Sequence, residues 1–121
     1  MPPTKRTGAQ GEALARRYLR QRGYRILDAN WSSLFGELDI VAERAGALTF
    51  VEVKTRHAAD TEAALGGITA AKKERMLKAV YQYLNDKELD RDTQWQIDVI
   101  AVALDGRRPP KLDHVEDAFD W

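Results

Sequence analysis

The chain of 121 residues contains no cysteine, which excludes disulfide bonds, thiolate metal sites and cysteine nucleophiles. No apolar run approaches the roughly 18 residues that a membrane span needs. The N-terminal segment also lacks the apolar stretch of a signal peptide. We therefore expect a cytoplasmic protein without membrane contact. The length predicts one domain over residues 1–121, with a flexible tail at 1–7 and an acidic C-terminal segment at 112–121.

An excess of charge of either sign is also missing, because 19 basic and 19 acidic side chains give a net charge of +0. This balance argues against a protein that coats nucleic acid by bulk charge. The charges are nevertheless uneven, since residues 1–25 hold seven Lys or Arg and a single acid, Glu12. Arg16 and Arg20 are therefore candidate phosphate contacts on a first helix. The alternative is an ordinary solvated helix face.

Apolar residues recur at helical spacing in two segments, residues 9–22 and 70–86, which predicts two long helices. Segments rich in β-branched and aromatic residues predict four strands, at 24–27, 37–43, 47–55 and 95–104. The last strand is nearly continuous in apolar residues, as is typical of a central strand. The order α-β-β-β-α-β predicts an α/β fold, in which a small mixed sheet is flanked by helices.

The second and third strands predict a pair of neighbouring carboxylates. A turn at Ala45-Gly46 would set Arg44 opposite Ala47, and the same register would place Asp39 opposite Glu52. Cross-strand neighbours have Cβ atoms about 5 Å apart. Two carboxylates at that distance raise each other's pKa unless a cation lies between them. A hard divalent ion such as Mg²⁺ would remove the repulsion, so the register predicts a metal site.

A lysine follows on the same face of the third strand, because side chains alternate and Lys54 comes two residues after Glu52. Its ammonium group could orient or deprotonate an attacking water, or stabilise a pentacovalent phosphate. Two carboxylates and a lysine are what metal-assisted phosphodiester hydrolysis needs. The alternative is a surface network in which Lys54 pairs with Glu52 or Glu37. The apolar neighbours Phe50 and Val53 mark a buried strand and favour the functional interpretation.

Gly36-Glu37-x-Asp39 followed by Glu52-x-Lys54 resembles the PD-(D/E)xK nuclease superfamily. The closer resemblance is to the YraN family, also called UPF0102, a group of small bacterial proteins similar to archaeal Holliday junction resolvases. That family's pattern is met over most of the chain, at Gly11-Glu12-Ala13, Gly23, Asn30, Gly36-Glu37-Leu38-Asp39, the run from Phe50 to Arg56, Lys72 and Ile97-Asp98-Val99.

The resemblance implies a restriction-endonuclease-like core that binds nucleic acid and cleaves it with Mg²⁺ or Mn²⁺. It favours DNA over RNA as the nucleic acid. It implies that Asp39, Glu52 and the carbonyl of Val53 ligate the metal. It implies a catalytic role for Lys54, and a place in the site for Glu12 on the first helix. The residues themselves leave a second interpretation of Glu12 open, because a helical pair with Arg16 four residues later would occupy it equally well.

Several further residues are candidates with weaker signals. Glu37 would assist the site or pair with a lysine, and Thr55 and Arg56 would contact a backbone phosphate. Lys72, at the start of the second helix, would reach a phosphate or lie on a solvated face. Asp98 would serve structure at least as readily as catalysis.

Two alternatives concern the whole protein. A domain of this size contacts only a short length of duplex, so a homodimer would suit a branched substrate. The rival to an endonuclease is a nucleic-acid-binding or scaffold module that keeps the nuclease fold without useful turnover.

Overall fold

Two long helices pack against a mixed five-stranded sheet in the computed structural model, which describes residues 5–66 and 68–119. The elements in chain order are α1 (Lys5–Gln21), β1 (Arg25–Ser33), β2 (Gly36–Arg44), β3 (Ala47–His57), α2 (Glu62–Leu65), α3 (Ala70–Asp86), β4 (Trp95–Leu104) and β5 (Lys111–Val115). The predicted α/β class and the order α-β-β-β-α-β are confirmed, and α2 and β5 are additional elements.

The strands lie in the sheet in chain order, β1-β2-β3-β4-β5. The central pair β3 and β4 is parallel, and the other neighbouring pairs are antiparallel. A parallel connection needs a long crossover, which here contains α2 and α3. Residues 97–103 of β4 are all buried, as the apolar run predicts.

Each face of the sheet is covered by one long helix. The cluster beneath α1 joins Ala15 and Leu19 to sheet residues that include Val51 and Ile100. The cluster beneath α3 contains Met76, Ala79, Val80 and Tyr83 with sheet residues that include Phe50, Ile97 and Val99. Because both faces are buried, a charged side chain on β3 or β4 needs a partner or a function.

Most predicted boundaries lie within one residue of the observed ones, but β1 ends at Ser33 and not at residue 27 as predicted. The Thr69 hydroxyl accepts a hydrogen bond from Lys72 N at 3.1 Å, so Thr69 caps α3, which begins at residue 70 as predicted. The β2–β3 turn has φ of +53° at Ala45 and +79° at Gly46, the left-handed values of a tight hairpin. None of the helices in the described part of the chain has the length and apolar character that a membrane crossing requires.

The two chain ends differ from prediction. Helix α1 begins at Lys5, so residues 5–7 are helical and not part of a flexible tail; residues 1–4 lie outside the described residues. At the start of the predicted acidic segment, residues 112–115 belong to β5, which begins at Lys111 and forms the edge of the sheet. This strand carries one apolar residue on its inward face, Leu112, which is too weak a pattern to predict a strand. Phe119 is buried, and residues 120–121 lie outside the described part.

Candidate functional site

Asp39 lies where the ladder between β2 and β3 ends. The predicted register is confirmed from Arg44–Ala47 to Ile40–Val51, the last pair. Beyond that pair, Asp39 Oδ2 accepts a hydrogen bond from Val53 N at 2.9 Å. The carboxylate therefore takes the place of a backbone carbonyl and is held against β3, next to Glu52.

The two carboxylates share a buried environment. Burial and the neighbouring Glu52 together raise the pKa of Asp39 to about 8, and Glu12 contributes in the same direction. The hydrogen bond from Val53 N acts in the opposite direction but does not offset them. Glu52 itself is only 8% exposed. Such a pair requires a proton or a cation, because neither burial nor proximity favours two negative charges.

Lys72 supplies a cation to this pair. Its Nζ lies 2.6 Å from Glu52 Oε1, and the two side chains are 33% and 10% exposed. Burial opposes the charge of Lys72, but the hydrogen bonds with Glu52 and Lys54 outweigh it and raise its pKa. Of the two roles that the sequence leaves open for Lys72, the solvated helix face is wrong, because its ammonium group is paired with Glu52. Sequence reasoning missed the pairing because only the crossover from β3 to α3 brings the two residues together.

Lys54 lies on the other side of this ion pair. Burial and the adjacent Lys72 lower the pKa of Lys54 to about 8, although the charge of Glu52 opposes the shift. Arg56 adds a further positive charge nearby. An amine with a pKa close to neutrality can exchange its proton under physiological conditions, as a group that handles protons must.

Two adjoining hollows form the cleft, and Glu52 and Lys72 line both. The first hollow, of about 230 Å³, is also lined by Phe35, Glu37, Asp39 and Arg75. The second, of about 350 Å³, is also lined by Lys5, Glu12, Lys54 and Arg56. The Glu52–Lys72 ion pair therefore lies between Asp39, in the first hollow, and Lys54, in the second.

Helix α1 reaches the cleft because of a glycine. A Cβ atom on Gly11 would lie 1.8 Å from Thr55 Oγ1, so any other residue would push α1 away from β3. This close approach carries Glu12, the next residue, into the second hollow. Thr55 Oγ1 is buried and has no hydrogen-bond partner within the described residues. The prediction that Thr55 contacts a phosphate is therefore wrong for its hydroxyl, which faces Gly11 and not the solvent.

The remaining predicted basic residues divide into two groups. Arg56 lines the second hollow, and its Nη1 donates to Thr55 O at 2.8 Å. Arg16 and Arg20 line neither hollow, but they follow Glu12 by one and two helical turns and lead away from the cleft. In the described part of the chain no ion pair joins Glu12 to Arg16.

Residues 11–102, which include α1 from Gly11, the strands β1 to β3 and most of β4, match the family described as "Uncharacterised protein family UPF0102". The chain belongs to UPF0102. A UPF0102 protein of Chloroflexus aurantiacus is 42% identical over 113 residues, which cover 93% of this chain and 92% of the relative. A relative in Roseiflexus castenholzii is 38% identical over 116 residues, 95% and 94% of the two chains. One in Myxococcus xanthus is 41% identical over 113 residues, 93% and 88%.

A second polar cluster of this UPF0102 chain lies at the edge formed by β4, β5 and α1. Asp98 is fully buried, and its Oδ1 accepts from Gln96 Nε2 at 2.8 Å and from Asp117 N at 2.9 Å. His114 Nε2 lies 2.6 Å from Asp98 Oδ2, and its Nδ1 lies 3.1 Å from the Tyr18 hydroxyl. Each polar atom of the pair therefore has a partner.

This cluster is also the place where ligand atoms of Asp98, His114 and Glu116 lie within 4.8 Å of one another in the described residues. A metal there would have to displace the hydrogen bonds that join β4 to β5 and to α1. We therefore assign Asp98 and His114 to the structure of the sheet edge, which for Asp98 is one of the two roles that the sequence leaves open.

Proposed function

We propose that this protein is a metal-dependent endonuclease that hydrolyses phosphodiester bonds in DNA, branched DNA included. The observation that carries the proposal is the pair Asp39 and Glu52, two buried carboxylates forced together at the end of a strand ladder. A fold that needed only stability would place apolar residues there. Lys54, a lysine with a lowered pKa, completes the set on the neighbouring side of the cleft.

The donors in the cleft fit a hard divalent ion. Asp39 and Glu52 offer carboxylate oxygens, and the raised pKa of Asp39 reflects a demand for positive charge. With the Val53 carbonyl, these residues would hold Mg²⁺ or Mn²⁺. The ion, when bound, supplies Lewis acidity and neutralises charge on the phosphodiester. The oxygen donors favour Mg²⁺ or Mn²⁺ over softer metals.

Lys54 is the residue to which we assign the catalytic role. As an ammonium group it donates hydrogen bonds to the oxygens of the phosphate, where negative charge grows in the transition state. As a neutral amine it accepts a proton from the attacking water. A pKa of about 8 keeps both forms accessible near neutral pH. Its position opposite Asp39, across Glu52, suits a group that acts on the reacting phosphate.

The other cleft residues bind and position. Lys72 neutralises Glu52 in the metal-free protein, and once the carboxylates hold a divalent ion its ammonium group is available to a phosphate. Arg56 lies beside Lys54 and suits the next phosphate along the strand. Glu12 shares the hollow with Lys54, and we assign it a role in positioning that ammonium group. A homodimer, which would present two such clefts to a branched substrate, is part of the proposal.

Cleavage of labelled DNA tests this function directly. Linear, flapped and four-way DNA would be incubated with the wild-type protein and Mg²⁺ or Mn²⁺, and with EDTA as the control. We expect metal-dependent strand cleavage that is lost in Glu52→Gln. Absence of cleavage with every substrate and both metals, together with retained DNA binding, would favour the rival function of a binding or scaffold module.

A further inference from the structure

Two large apolar residues stand exposed at the tip of the β1–β2 hairpin. Leu34 is 87% exposed and Phe35 is 41% exposed. They form the turn between the paired residues Ser33 and Gly36. We refer to Leu34 and Phe35 as the hairpin tip. Two adjacent apolar side chains at a turn form a contiguous exposed patch, and such patches can mark interaction sites.

The fold itself does not require these side chains. Tight turns favour Gly, Asn, Asp and Ser, not Leu or Phe. The turn is held by other groups, since Leu34 N donates to Gln82 Oε1 at 2.9 Å and Phe35 N donates to Ser33 Oγ at 3.0 Å. The Ser33 hydroxyl also donates to the Gly36 carbonyl. Because these bonds use only the backbone of the tip, smaller polar side chains would form the same turn.

The tip borders the candidate metal site. Phe35 lines the same hollow as Asp39 and Glu52. A row of basic residues on successive turns of α3, which we call the basic row, runs from Glu52 to the tip and consists of Lys72, Arg75 and Lys78. Its last member places Nζ 5.6 Å from the centre of the Phe35 ring, while also making an exposed ion pair with Glu74.

A row of cations beside exposed apolar side chains complements a nucleic acid strand, because the strand offers both anionic phosphates and apolar base faces. Phosphates along one strand would follow the basic row, which is the part of binding that ignores sequence. The bases beside those phosphates would then meet Leu34 and Phe35. Apolar side chains that reach a base step unstack it, and aromatic rings stack on bases that are already unpaired.

We propose that the hairpin tip is a wedge that engages an unstacked base beside the phosphodiester held in the cleft. The inference rests on the proposed function and narrows its substrate to DNA that carries an unpaired or readily unstacked base at the cleavage position. Fully paired duplex would bind through the basic row alone and would be the poorer ligand.

The test uses a DNA duplex with one bulged 2-aminopurine and a matched, fully paired duplex with the same fluorescent base. Binding and fluorescence would be measured with Ca²⁺, and a denaturing gel would verify that the strands stay intact. The variants are Leu34→Ser, the double change Leu34→Ser with Phe35→Ser, and Tyr81→Ala. Tyr81 is the matched control, because it is 57% exposed and packs on Trp95 outside both hollows.

For the wild-type protein and Tyr81→Ala we expect a rise in fluorescence on the bulged duplex and roughly tenfold tighter binding to it than to the paired duplex, the effect of one stacked base. The double variant should lose the preference and the fluorescence rise, and keep its affinity for paired duplex. Leu34→Ser should lose part of both, and its exposed position leaves the fold unchanged.

Equal preference and equal fluorescence in wild type and double variant would overturn the wedge and leave the proposed hydrolysis intact. A wedge signal in a protein that cleaves no DNA with Mg²⁺ would support the wedge and count against the hydrolysis. Failure to bind either duplex, or a preference for the same bulge in RNA, would overturn the inference. Sedimentation that shows a dimer for the wild type and a monomer for the double variant would also overturn the inference, because a second copy of the chain would then cover the tip.

Discussion

Lys72 Nζ lies 2.6 Å from Glu52 Oε1, so the carboxylate that we propose as a metal ligand already holds an ammonium group. The contact joins the first turn of α3, which is part of the crossover, to the middle of β3. In the metal-free protein, the ammonium group of Lys72 lies against the carboxylate that a divalent ion would bind. The charge of Lys72 must therefore compete with a divalent ion for Glu52.

This competition predicts the effect of Lys72→Met on metal binding. Without the competing charge, Mn²⁺ should bind roughly fivefold more tightly, about 1 kcal/mol, in the absence of DNA. Isothermal titration calorimetry measures the change. Lys73→Met is the control, because its ammonium group lies over the Phe119 ring and not at Glu52. Weaker Mn²⁺ binding in Lys72→Met would show that Lys72 supports the site in another way.

Asp39→Asn should stabilise the metal-free protein. The pKa of Asp39 is raised from 3.8 to about 8 by burial and by Glu52, so the folded state binds more protons than the unfolded state between these values. Stability due to this group is therefore full below pH 4 and falls as pH rises towards 8. Asparagine does not ionise, so the variant avoids this loss of stability. Its Oδ1 can still accept the hydrogen bond from Val53 N.

Melting temperatures from pH 4 to pH 8 with EDTA measure this effect. We expect Asp39→Asn and wild type to be alike at the acidic end, with a gain for the variant that grows towards pH 8 to about 1 kcal/mol or more. The exposed Asp92→Asn, in the loop before β4, is the control and should show no such trend. A variant that is less stable at every pH would mean that Asp39 serves the fold.

Arg16 and Arg20 are predicted to extend DNA contact along α1. Changing both to Glu should weaken binding and reduce the salt dependence, by about 0.9 in the slope of log K against log salt for each lost phosphate contact. Fluorescence anisotropy over a range of salt concentrations gives the slope. Arg107→Glu with Arg108→Glu, in the loop between β4 and β5, is the matched charge change. An unchanged slope would indicate that this side of α1 is an ordinary solvated face without phosphate contacts.

Asp98→Ala should destabilise the fold without altering metal binding. The change leaves the hydrogen-bond donors of Gln96, Asp117 and His114 without their acceptor. We expect a loss of about 2–4 kcal/mol in the free energy of unfolding, from urea denaturation. If the variant kept its stability and lost Mn²⁺ binding instead, the edge cluster, and not the cleft, would be the metal site.

The part of the site that could be predicted from sequence is the part built by local geometry. Side-chain alternation and one tight turn were sufficient for the register that brings Asp39 towards Glu52, and for Lys54 on the same face as Glu52. These contacts depend on neighbouring strands joined by a short connection. Gly11 carried a weaker signal, because a glycine inside a helix suggests close packing but does not name the partner.

The rest depended on contacts between distant segments. Lys72 reaches Glu52 only because α3 packs on the sheet face that carries Glu52, which no periodicity in α3 predicts. His114 meets Asp98 through the pairing of β4 with β5, and a five-residue strand with a polar inward residue gave no strand signal. The exposed Leu34 was not predicted as a functional residue either, since exposure is a property of the folded chain.

The cleavage rate of Lys54→Ala shows whether this cleft hydrolyses phosphodiesters. We predict that the variant keeps its melting temperature, its Mn²⁺ affinity and most of its DNA affinity, while Mg²⁺-dependent cleavage falls by about 10²–10³. Lys54→Arg should not restore the rate, because a guanidinium group cannot accept a proton from water. Lys111→Ala, on the exposed edge strand, should cleave as the wild type does. Undiminished cleavage in Lys54→Ala would contradict the account, because the activity would then lie outside this cleft.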